Sequence, residues 1–73
     1  MYYVYILKDN KTERPYIGYT SNLRKRIETH KKEKDVQLVY YEAYLEEKQA
    51  RSREQRLKFY GSAWRSLKKR LDF

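Results

Sequence analysis

Tyr2-Tyr3-Val4-Tyr5-Ile6-Leu7, the polar run Lys8 to Arg14, and Pro15-Tyr16-Ile17-Gly18-Tyr19-Thr20 decide the fold. The first segment is β-branched and aromatic with no breaker, which reads as a strand. The run that follows is polar, with Asp9-Asn10 as turn formers. Pro15 opens a second short strand, a position where its missing N–H is tolerated. Two strands and a short polar loop make an antiparallel hairpin, with strands over 2–7 and 15–20.

Outward from the hairpin, Thr20 or Ser21 reads as a helix N-cap. A helix over 21–33 carries Leu23 and Ile27 on one stripe. Val36 to Tyr44 is a third strand. A second helix over 46–60 has the stripe Ala50, Glu54, Leu57; Gly61 ends it. Ser62 then caps a last helix over 62–70, with Trp64, Leu67 and Leu71 on one side. The order β-β-α-β-α-α predicts an α+β fold, a small three-stranded antiparallel sheet flanked by helices. One domain spanning 1–73 is expected. Its predicted core is Val4, Ile6, Ile17, Leu23, Ile27, Val39, Ala50, Leu57, Trp64 and Leu67.

With 73 residues the chain has room for one thin core. A domain of that size buries only about 60% of its unfolded surface. No cysteine is present, which excludes disulfides and Cys-based zinc sites, and a single histidine, His30, excludes a multi-histidine centre. Nine tyrosines suit a thin core, since each ring buries area while its hydroxyl stays wet. No secretory signal or membrane-length apolar run is found, so a cytoplasmic location and no membrane partner are expected.

The formal charge of +8 favours a polyanionic partner, nucleic acid first. Between Arg51 and Arg70 stand eight basic residues and one acid, Glu54. Lys58, Arg65, Lys68 and Lys69 are candidate phosphate contacts, and Tyr60 and Trp64 candidate stacking surfaces for bases.

Alternation locates the candidate chemistry. If Val4, Ile6 and Ile17 form the core face, Tyr5 and Tyr16 meet on the opposite face. Gly18 beside them leaves space of the kind a strand glycine gives an approaching ligand. The same pattern also describes a hairpin with two packed tyrosines. Arg26 and His30, four residues apart, share one helix face. Arginine can hold phosphate with a two-pronged fork, and histidine can move a proton. Glu54 lies on an apolar stripe, so its carboxylate needs a partner: a salt bridge, for instance to Arg26, or a cation. Mg²⁺ takes one or two carboxylates and fills its shell with water and phosphate oxygens.

Together these residues resemble one family. Tyr3-Val4-Tyr5, followed after ten residues by Tyr16-Ile17-Gly18, is similar to the paired GIY and YIG motifs of the GIY-YIG nucleases. The likeness continues through Tyr19-Thr20-Ser21-Asn22-Leu23, Arg26, His30, and Glu54 within Ala50 to Lys58. It covers about residues 1–70 and is nearest to the short stand-alone bacterial members. The resemblance implies hydrolysis of a DNA phosphodiester around one divalent cation, Mg²⁺ or Mn²⁺. It implies that Tyr5 and Tyr16 lie near the scissile phosphate, that Arg26 stabilises phosphoryl charge, that His30 helps proton transfer and that Glu54 ligates the metal.

Two positions depart from the pattern. Tyr3 replaces the Gly of GIY, and Tyr19 stands where DNA-repair members carry a Lys, so that lysine's role does not transfer. The base is left between a tyrosinate-like Tyr16 and a metal-assisted water. The competing function is a nucleic-acid-binding module with weak or no catalysis. Low sequence specificity, or targeting by a protein partner, is expected.

Overall fold

The structure, a computed structural model, describes residues 1–72. Its elements are β1 (Tyr2–Asp9), β2 (Pro15–Thr20), α1 (Leu23–Glu33), β3 (Val36–Tyr44), α2 (Glu47–Lys58) and α3 (Ser62–Leu71). The strands form one antiparallel sheet in the order β2-β1-β3, so the architecture is α+β as expected. The β1–β2 loop is held by the Asp9 carboxylate, which accepts from the backbone N–H groups of Lys11 (2.8 Å) and Thr12 (3.0 Å). These bonds favour the charged form, and they hold the Asp9 pKa below its ordinary value.

Both faces of the sheet are covered. Val4, Ile6 and Ile17 pack with Ala50 and Leu57 of α2 and with Trp64 and Leu67 of α3. On the other face, Tyr5, Leu7 and Val36 pack with Ile27 of α1. The single core anticipated from sequence is thus two half-cores back to back. Tyr5, Leu7 and Val36 join the buried set, whereas Leu23 and Val39 are only partly buried. Val39 sits where the β1–β3 register slips, between the pairs Ile6–Tyr40 and Leu7–Leu38. An extra residue there disrupts local pairing and the simple alternation of faces.

Three chain reversals differ from expectation. The α1 N-cap is Asn22, whose side chain accepts from Lys25 N at 3.1 Å. Thr20 lies in the strand and is buried; its hydroxyl accepts from Asn22 N at 3.1 Å and so leads into the cap. Tyr60, not Gly61, turns the chain after α2, with φ 55°, while Gly61 is at φ −88°. A left-handed tyrosine is uncommon and is compensated here by contact: its ring meets Trp64 edge-on at 5.9 Å. Gly61, not Ser62, is the α3 N-cap, so no side chain caps that helix.

Candidate active site

The hairpin register sets the first part of the site. Tyr5 pairs with Gly18 and Leu7 with Tyr16, which puts Tyr5 and Tyr16 on one face two residues apart along the register. The Tyr5 ring lies across Gly18. A Cβ at Gly18 would stand 2.6 Å from Tyr5 Cζ and closer still to the hydroxyl oxygen. The space at Gly18 therefore belongs to Tyr5 rather than to a ligand. From α1, His30 Nε2 lies within hydrogen-bond reach of the Tyr5 hydroxyl, at 3.0 Å. Tyr16 meets the same imidazole edge-on, with ring centroids 4.8 Å apart. Lys34 Nζ stands 5.6 Å from the centre of the Tyr16 ring.

Glu54 approaches from the other side. Its helix packs on the Val4/Ile6/Ile17 face, opposite the face that carries Tyr5 and Tyr16. The two faces nevertheless meet in one cleft of about 390 Å³ that includes the edge strand β2. Tyr5, Tyr16 and Gly18 line it from the sheet, Arg26 from α1, and Glu47, Glu54 and Lys58 from α2. On α2, residues 47, 54 and 58 fall within one side at about 100° per residue. The Glu54 side chain is only 14% exposed, and its carboxylate is 3.4 Å from Lys58 Nζ. The sequence offered Arg26 as a salt-bridge partner; the ion pair Glu54 makes among the described residues is with Lys58, one turn along α2. Two carboxylates and water fit a hard, partly hydrated cation such as Mg²⁺ or Mn²⁺. Among the described residues no group of three or more His, Cys, Asp or Glu side chains is placed to hold a metal ion, and such a cation does not require one.

The electrostatics separate the two tyrosines. Burial pushes the Tyr5 pKa up, and the neighbouring Tyr16 and Glu54 add to it, while the Arg26 guanidinium pulls it down; the balance is upward. Tyr5 is 1% exposed and forms the cleft floor, whereas Tyr16 is 45% exposed. Burial, then the positive charges of Arg26 and Lys34, push the His30 pKa below its ordinary value despite Glu33. These effects favour the neutral imidazole, and in its Nδ1–H tautomer Nε2 accepts from the Tyr5 hydroxyl.

The structure thus brings Tyr5, Tyr16, Arg26, Glu54 and Lys58 to one cleft, with His30 bonded to its floor. Glu47 was missed, although its seven-residue spacing from Glu54 was readable as a shared helix face. The other sequence candidates lie elsewhere. Trp64 is 6% exposed and belongs to the core, which corrects its reading as a stacking surface. Tyr60 and Lys68 line a separate recess beside the β1–β2 loop, together with Glu13 and Asp72. Arg65 and Lys69 are exposed on α3 and line neither the cleft nor that recess. Among the described residues no helix is long and apolar enough to cross a membrane.

A family model described as the GIY-YIG catalytic domain matches residues 1–65. The UPF0213 protein CPE1444 of Clostridium perfringens (strain 13 / Type A) is 42% identical over an alignment 67 positions long, with 80% of this chain and 71% of that protein covered. Its name states no activity. No solved structure matches significantly. With nine-tenths of the sequence under the family model and the motif residues gathered at one cleft, the chain belongs to the GIY-YIG family, a family of nuclease catalytic domains.

Proposed function

We propose that this chain hydrolyses DNA phosphodiester bonds in the cleft, using one divalent cation, Mg²⁺ or Mn²⁺, with Glu54 as its protein ligand and Glu47 beside it. The observation that carries the proposal is the meeting of Glu54 with Tyr5, Tyr16 and Arg26 in one cleft, although they come from opposite faces of the sheet. A largely shielded carboxylate on that wall is costly unless a positive charge meets it. The cation, when bound, would supply charge against the phosphate oxygens and make water more acidic.

The protein's own groups divide the remaining work. Arg26 holds the non-bridging oxygens and opposes the charge that grows on them during attack. Tyr16 is open to water and takes the role of orienting it; as the phenolate, once its own proton has passed to bulk water, it can take the proton of the attacking water. Tyr5, whose ionisation is pushed up, stays protonated. Its hydroxyl is fixed by His30, and that bond sets the depth at which the phosphate rests. His30, being neutral, can accept the Tyr5 proton if Tyr5 in turn takes one from the substrate side.

One observation favours the competing reading, a nucleic-acid-binding module without turnover: Lys58 already meets the Glu54 carboxylate. That pair is half open to solvent on the lysine side, so its net strength is small and a divalent ion can displace it. Purified protein incubated with plasmid and with single-stranded DNA, in Mg²⁺, in Mn²⁺ or in chelator, separates the readings. Cleavage that appears with either ion and stops with chelator is expected. Binding without cleavage under every condition would leave the module reading.

A further inference from the structure

On the flank of α2 away from the cleft runs a second groove, between α2 and α3. It consists of two contiguous hollows of about 440 and 540 Å³ that share Arg56, Ser62 and Ala63. One hollow adds Phe59 and the other adds Arg53 and Arg70. Among the described residues no acidic side chain lines either. We propose that this groove binds single-stranded nucleic acid, with Arg53, Arg56 and Arg70 against the backbone phosphates and Phe59 stacking on a base. The proposal rests on the reading that this family member handles nucleic acid, and it adds a site outside the cleft.

Three observations support it. First, Phe59 is 87% exposed. A lone exposed phenylalanine is ordinary, but this one borders a groove whose charged lining, among the described residues, is arginine. Aromatic faces interleaved with arginines form the usual surface for unpaired strands, because every base has a stackable face.

Second, one of the arginines is held in place. Glu42 accepts from Arg53 Nε at 2.7 Å and from Nη2 at 3.5 Å. The same carboxylate accepts the hydroxyls of Tyr40 (2.5 Å) and Tyr44 (2.6 Å). Burial pushes the Glu42 pKa up, yet these bonds outweigh it and hold the carboxyl below the ordinary range, so the anchor stays charged. Nη1 of Arg53 makes no hydrogen bond among the described residues and keeps its donors for a ligand. A pre-positioned guanidinium loses less side-chain freedom on binding phosphate. Third, Arg56 and Arg70 are exposed, and neither forms an ion pair among the described residues. Both therefore keep a full charge for phosphate.

The competing partner is an anionic membrane surface, for which exposed Phe59 would be an insertion point. The groove favours the unpaired strand, since its serines and Gln55 offer hydrogen bonds that a lipid interior does not use.

The test is fluorescence anisotropy with a short labelled oligothymidylate, whose bases are unpaired, and with a duplex of equal length. Chelator is present throughout, so that cleavage plays no part. Phe59→Ser should weaken binding to the single strand by about 5-fold or more and leave the duplex nearly unaffected. Phe59→Tyr should keep the wild-type affinity. Arg56→Ala/Arg70→Ala should lower the single-strand salt slope by about 0.7 for each phosphate that these arginines neutralise. The charge-matched control Arg65→Ala/Lys69→Ala should lower it less. These side chains are all exposed, and circular dichroism checks that each variant folds.

Unchanged single-strand affinity in Phe59→Ser would overturn the proposal, as would equal slopes for the two double variants. Phe59-dependent binding to phosphatidylserine vesicles without Phe59-dependent binding to the oligonucleotide would overturn it in favour of a membrane. The groove and the nuclease can fail separately. Cleavage by the wild type with unchanged Phe59→Ser binding rejects only the groove. Phe59-dependent binding without any cleavage rejects only the nuclease.

Discussion

Gly18→Ala adds one methyl group at a point already occupied by the Tyr5 ring. The new Cβ would meet Tyr5 Cε1 at 3.1 Å and Cζ at 2.6 Å, with the hydroxyl oxygen nearer still. Carbon atoms rest about 3.5–4.0 Å apart, so the end of the ring must retreat by roughly 1 Å. It has little room, being 1% exposed and tied to His30. Gly18 does not have a positive φ, so alanine brings no backbone strain and gains ~0.4–1 kcal/mol from a stiffer unfolded chain. Overpacking costs about 1–3 kcal/mol and exceeds that gain. The net loss should be about 1–2 kcal/mol, which is a fall of about 4–16 °C in melting temperature for a domain of this size. Cleavage should fall about 100-fold, because a displacement of that order ruins alignment at the phosphate.

A double-mutant cycle with Tyr5→Leu tests the cause, since leucine lacks the ring atoms that clash. Gly18→Ala should cost about 1–3 kcal/mol less in the Tyr5→Leu background, by thermal melting, than in the wild type, since the gain from the stiffer unfolded chain is common to both. An equal cost in both backgrounds would refute the claim that Gly18 is there to seat Tyr5.

Arg26→Ala should lower turnover far more than DNA affinity, and Arg26→Lys should restore little, because a point charge lacks the fork; single-turnover kinetics beside a binding titration separate the two. For His30 the folded pKa lies below the ordinary 6.5, so the folded state resists protonation. Stability should be full above about pH 6.5 and decline as pH falls through the lower folded value, and this portion of the decline should vanish in His30→Gln; melting curves between about pH 5 and pH 8 would show it. Tyr44 has the opposite sign: burial, then its bond to the Glu42 carboxylate, push its pKa up to about 12. Its contribution is present below the ordinary value of 10.0 and is lost as pH rises toward 12. Tyr44→Phe should flatten that alkaline limb, as read by urea midpoints.

The hairpin was legible because a strand repeats every two residues. Once Val4, Ile6 and Ile17 faced one way, antiparallel pairing forced Tyr5 and Tyr16 to the same side, as the register has them. The helical spacing of Arg26 with His30, and of Ala50, Glu54 and Leu57, was legible for the same kind of reason. Local periodicity does not say how many faces of a sheet are covered, and the burial of Tyr5 under α1 was missed on that account. Nor does it reveal that a residue can serve one face of a sheet from a helix on the other. Glu54 does so because β2 is an edge strand and the cleft spans it. The bulge at Val39 leaves no local mark in an uninterrupted run of strand formers. Left-handed Tyr60 stands next to a glycine that sterics alone would favour for that turn. The Tyr40, Glu42 and Tyr44 cluster was not anticipated, although an acid between two tyrosines at period two shares their face and needs a partner.

Glu54→Gln tests most directly whether Glu54 is the cation's ligand. The amide keeps the size of the side chain and removes the charge, so the ion pair with Lys58 and the proposed metal site are lost together while the helix packing is kept. Plasmid cleavage should be followed in Mg²⁺ and in chelator, with Mn²⁺ affinity measured calorimetrically on the same sample. The predicted result is a folded protein that binds DNA at least as tightly as the wild type, has lost Mn²⁺ binding and does not cleave. Metal-dependent cleavage by Glu54→Gln, with wild-type contamination excluded, would contradict the assignment and remove the ligand on which the mechanism depends.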